Sequence, residues 1–156
     1  MGESSLTFAG AHLRLRLRRQ DPSFSVFSTE GRLPAIEGCR AGLSARSASG
    51  RLIRLRFGAA RLELEEEPLA DAHGSGRLLT WRARRPEAGL GLKLQFRLYD
   101  ERPFLLLRLT AANEGQETLR LEQATLLAAT PRLGGEVRLN LADGGSAVPP
   151  DFFKAG

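Results

Sequence analysis

Two histidines and one cysteine have the broadest chemical range in this chain, and their positions do not form a shared site. His12 opens a run of alternating leucines, His73 sits in the segment DAHGSG, and Cys39 stands alone. Zinc ligation needs closely spaced ligand pairs, and these three residues have no such spacing. They read as two exposed histidines and one small buried thiol, so neither a metal nor a cofactor is expected. A lone cysteine also excludes an internal disulfide. Gly74-Ser75-Gly76 lacks the strand-to-helix elbow of a nucleophilic serine. GLGLKL lacks the third glycine and the following helix of a dinucleotide loop. Glycoside hydrolysis requires two carboxylates flanking one bond. Glu65-Glu66-Glu67 reads as a solvated strand end before Pro68, and Asp100-Glu101 as a turn. Asp143 and Asp151 fall in polar or Pro/Gly-rich segments. No catalytic residue is assigned.

Charge is the next source of function. There are 23 basic and 18 acidic residues, for a net charge of +5, and lysine occurs only at Lys93 and Lys154. A nucleic-acid surface clusters its basic residues and interleaves aromatics. Here the arginines are spread over most of the chain and often alternate with acids; only RLRLRR is a cluster, and leucines take its other face. An arginine-rich solvated face is the expectation, with no nucleic-acid partner. Trp81, the only tryptophan, lies in phase with Leu79 and Ala83. It is read as a core residue, with a sugar-stacking ring as the alternative. No apolar run approaches the ~18 residues of a membrane span, and the first residues lack a signal-peptide pattern. The expected setting is cytoplasmic, with no membrane partner.

The elements that must position these residues repeat with a period of two. HLRLRLR puts Leu13, Leu15 and Leu17 on one face and arginines on the other. The same alternation recurs in RLIRLRF, RLELEEE, LGLKLQFRLY and EVRLNL. Such alternation marks half-buried antiparallel strands. One expected hairpin joins LIRLRF to ARLELE through Gly58-Ala59, with Leu55 opposite Leu62 and Arg54 opposite Glu63. A second joins GLGLKLQFRLY to FLLLRLTAA through Asp100–Pro103. It places Leu98 opposite Leu105, Phe96 opposite Leu107, Leu94 opposite Leu109 and Tyr99 opposite Phe104. FLLL, apolar on both faces, reads as a central strand. TLRLEQATLLAAT sets Leu119 and Leu121 inward and then changes phase to Ala124, Leu126 and Ala128, which predicts a β-bulge near Glu122–Gln123; a helix is the competing reading. Weaker strands are expected at Phe24–Ser28, within Pro34–Leu43 and at Arg77–Ala83. Nine or ten strands at this spacing predict an all-β antiparallel sandwich.

The segment GLGLKLQFRLYDERPFLLLRLTAANEGQETLRLEQATLL resembles part of the N-terminal β-supersandwich of α-galactosidase-like enzymes, glycoside hydrolase family 36 and its relatives. The matching features are Tyr99-Asp100, the apolar strand from Pro103 to Arg108, and the Asn113–Gly115 turn. The tail Phe152-Phe153-Lys154-Ala155-Gly156 resembles the family's approach to its catalytic barrel, with Ala155 where the family usually has asparagine. The resemblance implies a galactose-mutarotase-like supersandwich over residues 1–147, and 148–156 as a linker toward a C-terminal barrel. Phe152, Phe153 and Lys154 become candidate domain-interface residues. The implied function is non-catalytic: the sandwich supports the barrel of the same parent chain, frames its active-site mouth and can enter homo-oligomer contacts. The family's two catalytic aspartates belong to the barrel and map to nothing here. Three rivals remain: a carbohydrate-binding module, a mutarotase-type epimerase and an oligonucleotide binder.

Overall fold

The computed structural model of the chain describes residues 5–29, 35–57 and 61–132. The described residues form ten strands: β1 (Ser5–Ala9), β2 (Leu13–Arg18), β3 (Ser23–Ser28), β4 (Ala35–Ser47), β5 (Leu52–Arg56), β6 (Arg61–Asp71), β7 (Gly74–Arg85), β8 (Leu90–Tyr99), β9 (Leu105–Asn113) and β10 (Leu119–Arg132). They form two antiparallel sheets. One runs β1-β2-β3-β4-β10, with β5 pairing the second half of β4; the other runs β6-β7-β8-β9. The all-β sandwich expected from the alternation is what the chain forms. The sequence 120–130 is strand throughout, not helix.

Alternation explains the core. Leu13, Leu15 and Leu17 of β2, Phe24 of β3, Leu43 of β4 and Ile53 and Leu55 of β5 point to one side. Leu79, Trp81 and Ala83 of β7 and Leu90, Leu92, Leu94, Phe96 and Leu98 of β8 point back at them. Two aromatic contacts cross between the layers: Phe24 meets Phe96 edge-on at 5.0 Å, and Phe57 meets Trp81 at 5.5 Å. The sheets are also tied at one end, where Ala11 N–H donates to the Asp100 carbonyl at 2.7 Å. Cys39 sits fully buried in this core, where burial pushes its thiol up to about 11. The thiolate is the reactive form. The native protein at pH 8 should therefore resist an aromatic disulfide reagent and react stoichiometrically once unfolded. Fast native labelling would mean that the core opens.

The register of β8 and β9 is the expected one, with Leu94, Phe96 and Leu98 opposite Leu109, Leu107 and Leu105. The bulge is also found, as a register shift between Leu121 and Gln123 opposite Ala45 and Ser44. Four expectations are corrected. First, β5 and β6 do not form a hairpin: β5 pairs with β4 and β6 with β7. Arg54 faces Ser44 rather than Glu63, and Arg56 faces Gly42, which removes the Arg56–Arg61 repulsion that the hairpin would have carried. Second, among the described residues β9 is the edge of its sheet, not a centre, and Leu106 stays exposed. Third, Glu65–Glu67 is no strand end, because β6 runs on through Pro68 to Asp71. As an edge strand it can turn the position lacking an N–H outward. Fourth, His12 is half-buried. The expected strand at Val137–Leu141 lies outside the described residues.

Candidate binding trough and apolar seam

The residues singled out from the sequence do not converge. Trp81 is 2% exposed and packs on Phe57, so its indole offers no open face to a sugar; the sugar-stacking alternative is corrected in favour of the core. Phe152, Phe153 and Lys154 lie outside the described residues. Among the described residues, no three His, Cys, Asp or Glu side chains gather into a metal site. Glu65 and Glu66 are occupied by cross-strand arginines, Arg82 at 2.9 Å and Arg77 at 3.5 Å. The hydrogen bond from Arg82 holds the Glu65 carboxyl below its usual range.

One polar cluster does converge, at the β6–β7 turn. Asp71 accepts the His73 backbone N–H at 2.8 Å, the Tyr99 hydroxyl at 2.9 Å and an Arg97 N–H at 3.2 Å. The His73 N–H, followed by the Tyr99 hydroxyl, pulls the Asp71 carboxyl down. Burial, reinforced by Asp71, pushes the Tyr99 phenol up. The rings of His73, Tyr99 and Phe104 meet edge-on at 5.4 to 5.7 Å. Every polar partner in this cluster is supplied from within the fold, so it works as a clasp joining the β6–β7 turn to the end of β8.

A site the sequence reading missed lies on the outer face of β4, β5 and β10. Cross-strand partners share a face, and two rows cross all three strands. Arg56, Gly42 and Thr125 make one row; Arg54, Ser44 and Gln123 make the next. The central strand contributes glycine and serine, while longer side chains flank them on both sides. The result is a trough of about 650 Å³, closed at one end by Arg40 and bordered by Glu122. Glu122 is already held by Arg46 at 2.6 Å and Arg120 at 3.6 Å. Arg40 pairs with Asp21 at 2.9 Å, in the open. Arg54 and Arg56 are exposed, and among the described residues neither guanidinium has a carboxylate partner. The trough is therefore cationic. Its signal in the sequence was weak: small residues at Gly42 and Ser44 in a long strand, visible only once β5 and β10 are known to flank it.

The second unusual surface is apolar. Leu105, Leu107 and Leu109 of edge strand β9 face the core but are only partly covered. In β10, Leu121 lies opposite Ala45 and so on the core side of its sheet, yet it is 57% exposed. Leu106 of β9, Leu126 and Leu127 of β10, and Phe104 just before β9 are exposed as well. Among the described residues, the sandwich is thus open along its β9–β10 side. No family model matches the chain, and it matches no curated protein and no solved structure.

Proposed function

We propose that this all-β chain is the accessory sandwich of an α-galactosidase-like glycoside hydrolase, supporting the catalytic barrel of the same parent chain and framing its active-site mouth. The observation that carries this reading is the open β9–β10 side. An apolar strip rimmed by polar residues on a soluble domain marks a contact surface. The strip is built from the PFLLLR and TLRLEQATLL runs on which the family resemblance rests. Two measurements test it. The isolated chain should release no chromophore from a chromogenic α-galactoside above the buffer rate, and turnover would overturn the accessory role. The reading frame beyond the codon for Gly156 should encode alternating strands and helices with the barrel's two carboxylates. A stop codon there would overturn the parent enzyme.

A second reading, a carbohydrate-binding sandwich, is favoured by the trough. Its volume falls within the range of small-molecule sites, and Ser44, Gln123 and Thr125 line it with hydroxyl and amide groups.

A further inference from the structure

We infer that the β4–β5–β10 trough recognises a saccharide through a carboxylate, that is, an acidic sugar of the uronate class. The inference rests on the carbohydrate-binding reading of that trough and adds the charge of the ligand. Four observations carry it. Arg54 and Arg56 are two residues apart on one face of β5, so their stems rise on the order of 7 Å apart along the trough wall. Their guanidinium groups have no carboxylate partner among the described residues. A guanidinium fork matches a carboxylate with two parallel hydrogen bonds. The one carboxylate on the rim among the described residues, Glu122, is paired with Arg46 and Arg120 and does not compete for them. Gly42 and Ser44 form the floor of the trough of about 650 Å³, with the Arg56 stem lying close over Gly42 and Ser44 left as the open part beside Arg54. Thr125 and Gln123 stand on the far wall, where ring hydroxyls would need partners. Among the described residues, no aromatic side chain lines the trough. A single-stranded nucleic acid would therefore find charge but no ring to stack on, and stacking supplies much of its binding.

The test titrates the intact chain with trigalacturonic acid, its methyl ester, a neutral galactotriose and a dT oligonucleotide of equal charge. Saturable binding of the free acid is expected, weakened at least tenfold in the Arg54→Gln, Arg56→Gln double variant. Arg18→Gln, on a distant strand, should bind like wild type. Both arginines are exposed and their backbone pairing is untouched, so the fold should survive; circular dichroism checks this. Equal binding of the ester or the neutral sugar would overturn the carboxylate inference and leave the carbohydrate reading standing. No binding of any saccharide would overturn both. Tighter binding of the oligonucleotide than of the uronate would make the trough a nucleic-acid site instead.

Discussion

Replacing Phe96 by alanine should cost about 4 kcal/mol of folding stability, the middle of the range for truncating a buried phenylalanine. The ring is fully buried in β8, at the centre of its sheet, and meets Phe24 of the opposite sheet edge-on at 5.0 Å. Truncation removes apolar burial, leaves a cavity that a rigid pair of sheets can collapse only in part, and deletes the aromatic contact between layers. Domains of this size hold roughly 5–15 kcal/mol in total, so the variant should be marginal. Urea denaturation followed by circular dichroism gives the number. Phe96→Leu, which keeps most of the volume, should lose about 1.5 kcal/mol and remains measurable if the alanine variant does not fold. Phe104→Ala, at an exposed position, should lose about 1 kcal/mol. A Phe96→Ala protein within 1 kcal/mol of wild type would mean that the two sheets do not stack through this pair.

That prediction uses the part of the fold that was legible in the sequence. Alternation fixes which side of a strand is apolar, and the β8–β9 register follows because a short connection over residues 100–104 joins two patterned runs directly. Alternation says nothing about which strand lies alongside. Every leucine-lined ribbon here is compatible with every other, since pairing only has to keep the same face inward. LIRLRF and ARLELE matched well on paper, with Arg56 against Arg61 the only poor pair. In the structure Arg56 lies opposite Gly42, and Arg61 lies opposite Arg84 in the other sheet. The like-charge pair did not decide the matter, because Arg61 meets another arginine position in the register that forms. FLLL misled for a related reason. Apolar residues on both faces usually mean cover on both faces, and β9 keeps them on an edge. The trough was illegible because it depends on strands distant in sequence: Ser44 meets Arg54 on one side and Gln123 on the other. Only the long β4, paired along both edges, brings those residues into one row.

The second large effect is expected at Gly76, where the constraint is space rather than backbone angle. Gly76 lies in β7 opposite Tyr99. A Cβ there would sit in contact with the Leu98 carbonyl oxygen and 2.8 Å from the Tyr99 Cα. Both are backbone atoms of the neighbouring strand, so no side-chain rotation relieves the overlap. Gly76→Ala should therefore push β8 outward and cost about 3 kcal/mol, the upper part of the range for overpacking. Ser75→Ala, one residue away on the exposed side, should cost no more than about 0.5 kcal/mol. The displacement has its own optical readout, because Tyr99 is the only tyrosine. In the wild-type protein burial, with help from Asp71, holds its phenol above the ordinary range. Moving the end of β8 lengthens the 2.9 Å hydrogen bond to Asp71 and admits water. The phenol of the alanine variant should then titrate near the unperturbed value of about 10, seen as an earlier rise in phenolate absorbance. An alanine variant with wild-type stability and an unmoved phenolate curve would show that β7 and β8 are not in contact at this position. The clasp around Asp71 would then need another explanation.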